Sequence, residues 1–187
     1  ALGLVGANGA DMELTSKDAS AHELSRGVFE LTSTSRRIVF DGVANRPVPS
    51  LLRGFSAPAK LDVDLSDDDL LTLLARDSDM FNRWQAAQSY ATKLIIRSVA
   101  AIRAGDAPLV DDRLADALGA VLDDHAKDAS FTALALGLPT EGDIAREIGK
   151  DVDPDAILAA RKALKQAIGA RLAARIASAR AEIGRAH

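Results

Sequence analysis

The sequence predicts an α+β protein in which an antiparallel sheet is followed by a stack of helices. Up to residue 65, β-branched and aromatic residues occur in short runs between turn residues, as is typical of strands. From Ser66 onward the hydrophobic period changes from about two to about 3.6 residues, which indicates amphipathic helices. We therefore predict a β domain over residues 1–65 and a helical domain over residues 66–187.

Five or six strands are predicted in the β domain. Asn8-Gly9 is a strong two-residue hairpin signal, and it joins an apolar run over residues 1–6 to a returning run over residues 10–14. Three further runs rich in apolar or β-branched residues predict strands: residues 27–32, 36–40 and 60–65.

The helical domain is predicted to start at a capping box. Ser66 is a good N-cap residue, Asp69 occupies the third helical position, and the run Asp67 to Asp69 places negative charge at the positive end of the helix dipole. The apolar periodicity then predicts six helices, at about residues 66–76, 79–103, 111–126, 130–136, 140–148 and 153–183.

The last predicted helix carries a long apolar stripe. Its members follow a helical spacing: Ile157, Leu164, Ile168, Leu172, Ile176, Ala179 and Ile183. We expect residues 66–150 to cover only about its first half, which leaves the stripe beyond Leu164 exposed. Successive amphipathic helices with short connections predict a helical stack or solenoid.

The charge of the last helix does not predict a nucleic-acid partner. Residues 156–187 hold seven basic residues against one acidic residue. These basic residues are spread along one helical pattern without aromatic neighbours, so they indicate a solvated helix face. They are Arg161, Lys162, Lys165, Arg171, Arg175, Arg180 and Arg185.

Three absences from the sequence bear on location. The sequence has no hydrophobic run long enough for a membrane span, no signal-peptide pattern at its start and no cysteine. We therefore expect no membrane partner, and these features favour the cytoplasm.

The sequence offers no recognisable catalytic or metal site. Hydrolytic zinc sites typically use two histidines one helical turn apart, whereas His22, His125 and His187 lie far from one another. His125 follows two aspartates, but adjacent helical residues point in different directions, so a position at a helix end is the preferred interpretation. No serine lies in a Gly-x-Ser-x-Gly turn, and no cysteine is available as a nucleophile.

Other residues that suggest chemistry have simpler interpretations. Gly3, Gly6 and Gly9 form no phosphate-binding pattern and fit hairpin geometry. The run Asp67 to Asp69 is interpreted as helix capping, not as a cation site. Trp84, the only tryptophan, is predicted to anchor the core. The predicted catalytic, cofactor-binding and metal-binding residues are therefore none.

Two stretches resemble the bacterial aminopeptidase N (membrane alanyl aminopeptidase) family of gluzincin metallopeptidases. The first runs from Arg37 to Leu61, RIVFDGVANRPVPSLLRGFSAPAKL. The second runs from Asp77 to Gln88, DSDMFNRWQAAQ, and is similar to the family pattern Asp-x-Phe-x-Arg-Trp-x-Ala-x-Gln. The order of strands before helices also fits this family over the whole chain.

The resemblance implies a four-domain zinc enzyme that removes N-terminal residues from peptides. The chain would match the end of its third domain, an Ig-like β-sandwich, and the start of its fourth, a helical superhelix that encloses the active site. No His-Glu-x-x-His segment is present, and Tyr90 matches no catalytic motif. Residues Gly9 to Glu13 only mimic the family's Gly-Ala-Met-Glu-Asn segment, because they contain an extra residue.

The resemblance thus implies a non-catalytic structural fragment that links the catalytic domain to the helical domain of its parent. Its partners would be the rest of the parent chain, while peptides and zinc would belong to the parent. Residues Arg46 to Pro49 and Arg53 are expected to lie at the junction between domains.

The alternative function is a non-enzymatic helical-repeat binding module with an appended sandwich, whose peptide groove would be the stripe beyond Leu164. A fragment is expected to self-associate through that stripe, whereas a binding module stays monomeric and recognises a defined peptide.

Overall fold

The computed structural model describes residues 1–59, 61–124 and 128–185, which form two compact units, residues 1–83 and 84–187. The described residues form two strands, seven α-helices and a single 3-10 turn at Arg53–Phe55. The strands are β1 (Leu2–Val5) and β2 (Val48–Leu51). The helices are α1 (Ala21–Arg26), α2 (Asp67–Arg76), α3 (Met80–Arg103), α4 (Asp112–Asp123), α5 (Ala129–Ala135), α6 (Glu141–Ile148) and α7 (Pro154–Arg185). The boundary between the units falls inside α3.

The two strands of the first unit pair antiparallel, with Leu2 opposite Leu51 and Val5 opposite Val48. The turn predicted at Asn8-Gly9 is present: Gly9 has a φ of 79°, and its N–H donates to the Gly6 carbonyl at 2.8 Å. The returning chain forms a single bridge between Asp11 and Val5 in place of a strand. The main partner of β1 is therefore β2, which the hairpin signal does not reveal.

The strands predicted at residues 27–32 and 36–40 are wrong, and so is the part of the strand predicted at 60–65 that is described, residues 61–65. Lys60 lies outside the described residues. The extended backbone of these runs forms hydrogen bonds with side chains in place of strand pairing. For example, the Val39 N–H donates to Asp18 Oδ2 at 2.8 Å. Val39 and Leu31 are exposed, whereas Phe29 and Phe40 are half-buried and pack against each other through their rings, so the apolar residues of these two runs are partly covered without forming a sheet.

Helix α1 is absent from the prediction, although its local signals are present. Ser20 and Glu23 form a reciprocal capping box, and Gly27 ends the helix at a φ of 61°. A Cβ atom at Gly27 would lie 2.6 Å from the carbonyl oxygen of Leu2, so glycine also allows the close approach to β1.

The capping box predicted at the start of α2 is confirmed. The Ser66 side chain accepts from the Asp69 N–H, and the Asp69 carboxylate accepts from the Ser66 N–H. Leu70, Leu73 and Leu74 of α2 are buried in the first unit, where α2 contacts β2.

The six helices predicted from periodicity are all present, with ends that differ by one or two residues where both are described. In the second unit α4 and α6 pack against α7, and α5 packs against α4. No helix among the described residues is both long and apolar enough to cross a membrane.

The expectation that the α7 stripe is exposed beyond Leu164 is wrong at Ile168, Leu172 and Ala179 and holds at Ile176. Ile168 and Leu172 are buried, and α4 runs beside α7. Ion pairs also connect the two helices: Arg171 of α7 pairs with Asp116 of α4 at 3.0 Å. Ile176 is 39% exposed, and the side chain of Ile183 lies outside the described residues.

Gly119 of α4 is expected to be a sensitive position in this contact. A Cβ atom there would lie 3.3 Å from Leu172 Cδ2 and would overlap the end of Arg175. Gly119→Leu should lower the free energy of unfolding of the second unit by about 1–3 kcal/mol, the usual cost of overpacking. Denaturant unfolding followed by circular dichroism measures the change.

Gly169 of α7 is the matched control, because a Cβ atom there would meet no atom within 4 Å. Gly169→Leu should be neutral or stabilising by up to about 1 kcal/mol, since glycine is a poor helix former. Equal losses for both leucine variants would contradict the packing described at Gly119.

Candidate functional site

Arg46 and Arg53, predicted to lie at a domain junction, both contact residues that flank or open α2 within the first unit: Arg46 contacts Asp69 at its start and Arg53 contacts Asp77 just after its end. Arg46 binds the Asp69 carboxylate in a bidentate pair, with Nη1 to Oδ1 at 2.7 Å and Nη2 to Oδ2 at 3.0 Å. Asp69 is buried and also caps α2, so one carboxylate both starts the helix and fixes the chain that precedes β2.

The Arg46 guanidinium lowers the pKa of Asp69 to about 2, below its ordinary value of 3.8, against the opposing effect of burial. A lowered folded-state pKa stabilises the fold above the unfolded pKa, and this stability is lost as pH falls through the folded pKa. Asp69 therefore contributes stability near neutral pH that disappears between about pH 4 and about pH 2.

The variant Asp69→Asn should make the stability of the first unit less sensitive to acid. The free energy of unfolding of the parent chain is expected to fall more steeply between about pH 4 and about pH 2 than that of Asp69→Asn, measured in urea at fixed ionic strength. Arg37→Met, at an exposed arginine, is the control and should keep the parent slope. If the free energy of unfolding of Asp69→Asn fell as steeply with pH as that of the parent chain, the pH dependence assigned to Asp69 would be wrong.

Arg53 is the centre of a second network and is largely buried. Its Nε donates to Ser50 Oγ at 2.7 Å, and its two terminal nitrogens donate to the Asp11 carboxylate at 2.9 and 2.7 Å. Nη2 also donates to Asp77 Oδ1 at 2.8 Å. One guanidinium thus joins the hairpin return, β2 and the end of α2; we call Asp11, Ser50, Arg53, Asp77 and Asn82 the Arg53 hub.

Gly3 of β1 makes room for the hub. A Cβ atom at Gly3 would overlap the guanidinium of Arg53, so the close approach of the arginine to β1 requires glycine at this position.

Asn82 connects the hub to the start of α3. Its Nδ2 donates to Ser50 Oγ at 2.8 Å and to the Leu51 carbonyl at 2.9 Å. One residue further, Arg83 Nε donates to the Leu74 carbonyl at 3.0 Å and so satisfies the last turn of α2. Residues of β2, α2 and α3 are therefore tied together by side chains that are almost fully buried.

Asp77 is the most deeply buried acid of the hub. Burial raises its pKa above the ordinary value and outweighs the opposing effects of Ser50, the Asp79 N–H and Arg53. Its Oδ1 accepts from Arg53 and from the Asp79 N–H, whereas its buried Oδ2 has no hydrogen-bond partner within the described part of the chain. The carboxylate is thus stabilised from one side only, and Arg53 is its only ion-pair partner that is described.

The geometry of the described residues does not fit a bound metal. Across residues 1–59, 61–124 and 128–185, no three His, Cys, Asp or Glu side chains lie close enough to hold an ion. His22 is exposed on α1, while His125 and His187 lie outside the described residues. The run Asp67 to Asp69 opens α2 as predicted, with Asp69 turned to Arg46.

Trp84, predicted to anchor the core, is half-buried and is not one of the fully buried core residues. The fully buried aromatic residue of the second unit is Tyr90, whose hydroxyl donates to Asp111 Oδ2. Asp111 is also the N-cap of α4. Tyr90 thus joins α3 to the start of α4.

Several basic residues of α7 have structural partners. Arg161 contacts Glu141, Arg171 contacts Asp112 and Asp116, and Arg175 lies 3.7 Å from Asp123. Their exposed or partly exposed positions agree with the predicted solvated helix face, and the pairs with the acidic helices are an addition to that prediction.

The sequence identifies Arg53 but not its partners. Asp11 lies in the segment that mimics the Gly-Ala-Met-Glu-Asn motif, and it pairs with Arg53 and Ser78. Ser50 and Asn82 carry no pattern that distinguishes them from surface residues. The glycine at position 3 is the only local signal, since it marks a close approach to a strand.

Comparison with known proteins identifies both parts of the chain. Residues 1–64 match the Ig-like fold domain DUF3458, and residues 67–186 match the ARM-repeat domain DUF3458_C, each described as a domain of unknown function. The chain is 40% identical over 144 residues to aminopeptidase N of Caulobacter vibrioides. It is 37% identical over 150 residues to aminopeptidase N of Haemophilus influenzae and 38% identical over 146 residues to that of Escherichia coli.

These alignments cover 76–80% of this chain and 16–17% of the relatives. A solved structure of Legionella pneumophila aminopeptidase A, in complex with aspartic acid, shares the fold with a TM-score of 0.66 at 21% identity, over 95% of this chain and 19% of that one. The predicted fold class, an α+β chain with an Ig-like part before a helical stack, is thereby confirmed. The chain belongs to the aminopeptidase N family, of which it carries the Ig-like and ARM-repeat segment.

Proposed function

We propose that this segment is a non-catalytic, architectural part of a zinc-dependent aminopeptidase. Its role is to hold the Ig-like part to the first helices of the ARM-repeat part, with the domain boundary between residues 65 and 66. The Arg53 hub carries this proposal, because it connects residues from both sides of that boundary through Asp11, Ser50, Asp77 and Asn82.

Peptide hydrolysis is proposed to belong to other parts of a longer polypeptide that contains these 187 residues. We call this longer polypeptide the parent. The chain spans only 16–17% of the relatives it matches, each of which is an aminopeptidase N. The sequence contains no His-Glu-x-x-His, and the described side chains do not fit zinc. We therefore assign zinc and the peptide substrate to the rest of the parent, and we propose a cytoplasmic location for it, which the absence of cysteine here favours.

The alternative function, a helical-repeat binding module, lacks its main support. Its groove is the stripe beyond Leu164, and Ile168 and Leu172 of that stripe are buried within the second unit. The partners proposed for this segment are therefore the remaining domains of its own polypeptide.

The test compares hydrolysis of an alanyl chromogenic substrate by the 187-residue chain and by the parent polypeptide, each supplied with zinc, together with metal analysis. Turnover and bound zinc are expected in the parent alone. Zinc-dependent turnover by the 187-residue chain that survives repurification would overturn the non-catalytic role. A parent without turnover would overturn the aminopeptidase assignment.

An architectural role also predicts how the parent responds to Arg53→Met. Loss of the hub should lower the melting temperature of the parent. Well below that melting temperature, where the variant is still folded, its turnover should stay close to that of the unmodified parent. Unchanged melting of the parent would argue against the coupling role even if the 187-residue chain were inactive.

A further inference from the structure

The Arg53 hub holds more negative than positive charge. Its single guanidinium binds the carboxylate of Asp11 with both terminal nitrogens, and Nη2 also donates to Asp77 Oδ1. Asp79 adds a third carboxylate, whose charge acts on both Arg53 and Asp77. One cation is therefore shared among three acids, and two of these acids compete directly for its N–H groups.

The three carboxylates differ in what stabilises their charge. The side chain of Asp11 is 40% exposed, so water reaches it. The Asp79 carboxylate accepts from the N–H groups of Gly54 and Asn82, both at 2.9 Å. The side chain of Asp77, in contrast, has no exposed surface. Asp77 is thus the acid of the three whose negative charge costs most in the folded state.

The two oxygens of Asp77 have different surroundings. Oδ1 accepts from Arg53 Nη2 at 2.8 Å and from the Asp79 N–H at 3.0 Å. Oδ2 is buried and has no hydrogen-bond partner among the residues that the structure describes. A proton taken from solvent can form an O–H bond at Oδ2 and leave both hydrogen bonds to Oδ1 in place. It replaces a buried charge by a neutral group, whose burial costs less.

The other cations near Asp77 have partners elsewhere. Arg83 of α3 donates to the Leu74 carbonyl at 3.0 Å, and the exposed side chain of Arg76 lies over Gly9. Within the described part of the chain, no second cation pairs with Asp77 to offset its share of the Arg53 guanidinium.

We propose that the Arg53 hub binds a proton at Asp77 Oδ2, so that its ties between β2, α2 and α3 are strongest in weakly acidic solution and weaken as the carboxyl group ionises. The regulatory meaning of this site rests on the proposed function, because it takes the hub to hold the Ig-like part to the first helices. The proton site itself rests on the geometry of the hub.

The pH dependence expected from Asp77 is opposite to that of Asp69. Burial raises the pKa of Asp77 above its ordinary value of 3.8, against the opposing effects of Ser50, the Asp79 N–H and Arg53. An acid with a raised folded-state pKa contributes stability that is fully present below the unfolded pKa and is lost as pH rises through the folded pKa. Asp77 therefore stabilises the first unit in acid, where Asp69 loses its contribution.

Carbon-13 NMR of the aspartate carboxyl groups in the 187-residue chain tests the proton site. The signal of Asp77 is the one that disappears in Asp77→Asn, and its chemical shift is followed from about pH 3 to about pH 8. The midpoint of its titration should lie above 3.8, the ordinary value. A midpoint at or below 3.8 would overturn the proposal.

Asp11→Asn tests whether the shared guanidinium matters. This variant removes a competing charge and leaves more of the Arg53 guanidinium to Asp77, so the Asp77 midpoint should move to lower pH. Asp62→Asn, at an exposed position of the same unit, is the control and should leave the midpoint unchanged. If Asp11→Asn fails to fold, Asp79→Asn repeats the test, because the charge of Asp79 also raises the pKa of Asp77. A raised midpoint that the variant does not move would mean that burial alone sets it, and the role of the hub would be wrong.

Urea unfolding tests the effect on stability. Asp77→Asn is a neutral mimic of the protonated carboxyl group and does not titrate. The urea midpoint of the first unit should therefore fall, relative to that of Asp77→Asn, as pH rises from about 4 to about 7. A relative midpoint that stays constant or rises over this range would contradict the proposed pH dependence.

The proton site and the proposed function can fail separately. A raised Asp77 midpoint, together with unchanged melting of the parent on Arg53→Met, retains the proton site and loses the architectural role. An ordinary Asp77 midpoint, together with lowered melting of the parent on Arg53→Met, retains the architectural role and loses the proton site.

Discussion

Replacement of Arg53 by methionine is expected to lower the free energy of unfolding of the first unit by about 3–5 kcal/mol, the range seen when one partner of a buried ion pair is removed. The reason is that the buried carboxylate of Asp77 would keep its charge after its ion-pair partner is removed. Asp77 is buried, and its Oδ1 would lose the guanidinium while its Oδ2 has no hydrogen-bond partner among the described residues. Ser50 Oγ would also lose a donor.

Urea unfolding followed by near-ultraviolet circular dichroism measures this loss. The control is Arg37→Met, the same replacement at an exposed position, which should change the free energy by no more than about 0.5 kcal/mol. Adding Asp77→Asn to Arg53→Met should recover part of the loss, because it removes the buried charge. A loss below about 1 kcal/mol for Arg53→Met would contradict the central role of Arg53.

Truncation of Tyr90 to alanine is the second large effect and acts on the other unit. Tyr90 has no exposed surface, so Tyr90→Ala should cost about 3–5 kcal/mol through lost burial and the cavity left behind. The matched control is Leu158→Ala on α7, where the leucine is more than half exposed; its cost should stay below about 0.5 kcal/mol.

The Tyr90→Phe variant separates the ring from the hydroxyl. The hydroxyl donates to Asp111, whose pKa is lowered to about 2 chiefly by Arg113, with a smaller contribution from Tyr90. Although Arg113 remains, Tyr90→Phe should cost about 1.5–3 kcal/mol, the range for a hydrogen bond to a charged group. Equal losses for the alanine and phenylalanine variants would show that the ring contributes little.

Helices are predictable where their signals are local. The Ser66 and Asp69 capping box and the Asp153-Pro154 start lie within a few residues of the turns they begin, and both helices form there. Helix α1 has the same signal at Ser20 and Glu23, but the β-rich pattern of the surrounding region obscures it. Strands depend on a distant partner, so the runs at 27–32 and 36–40 have β propensity without a ladder to join.

The hub is predictable only in part, for the same reason. Arg53 is identified through a family resemblance, but its partners Asp11 and Asp77 are 42 and 24 positions away in sequence. No spacing rule relates such residues. The coverage of the α7 stripe likewise depends on the placement of α4, which periodicity does not give.

The sequence separations within the hub have a consequence for folding kinetics. Apart from Ser50 and Arg53, which are three positions apart, its pairs are separated by 24 to 42 positions, and the entropy of loop closure must be lost before these contacts form. The contacts of Arg53 should therefore be largely absent from the folding transition state, in contrast to the capping box at Ser66. Arg53→Met should then accelerate unfolding with little change in the folding rate, so the hub determines how long the folded first unit persists.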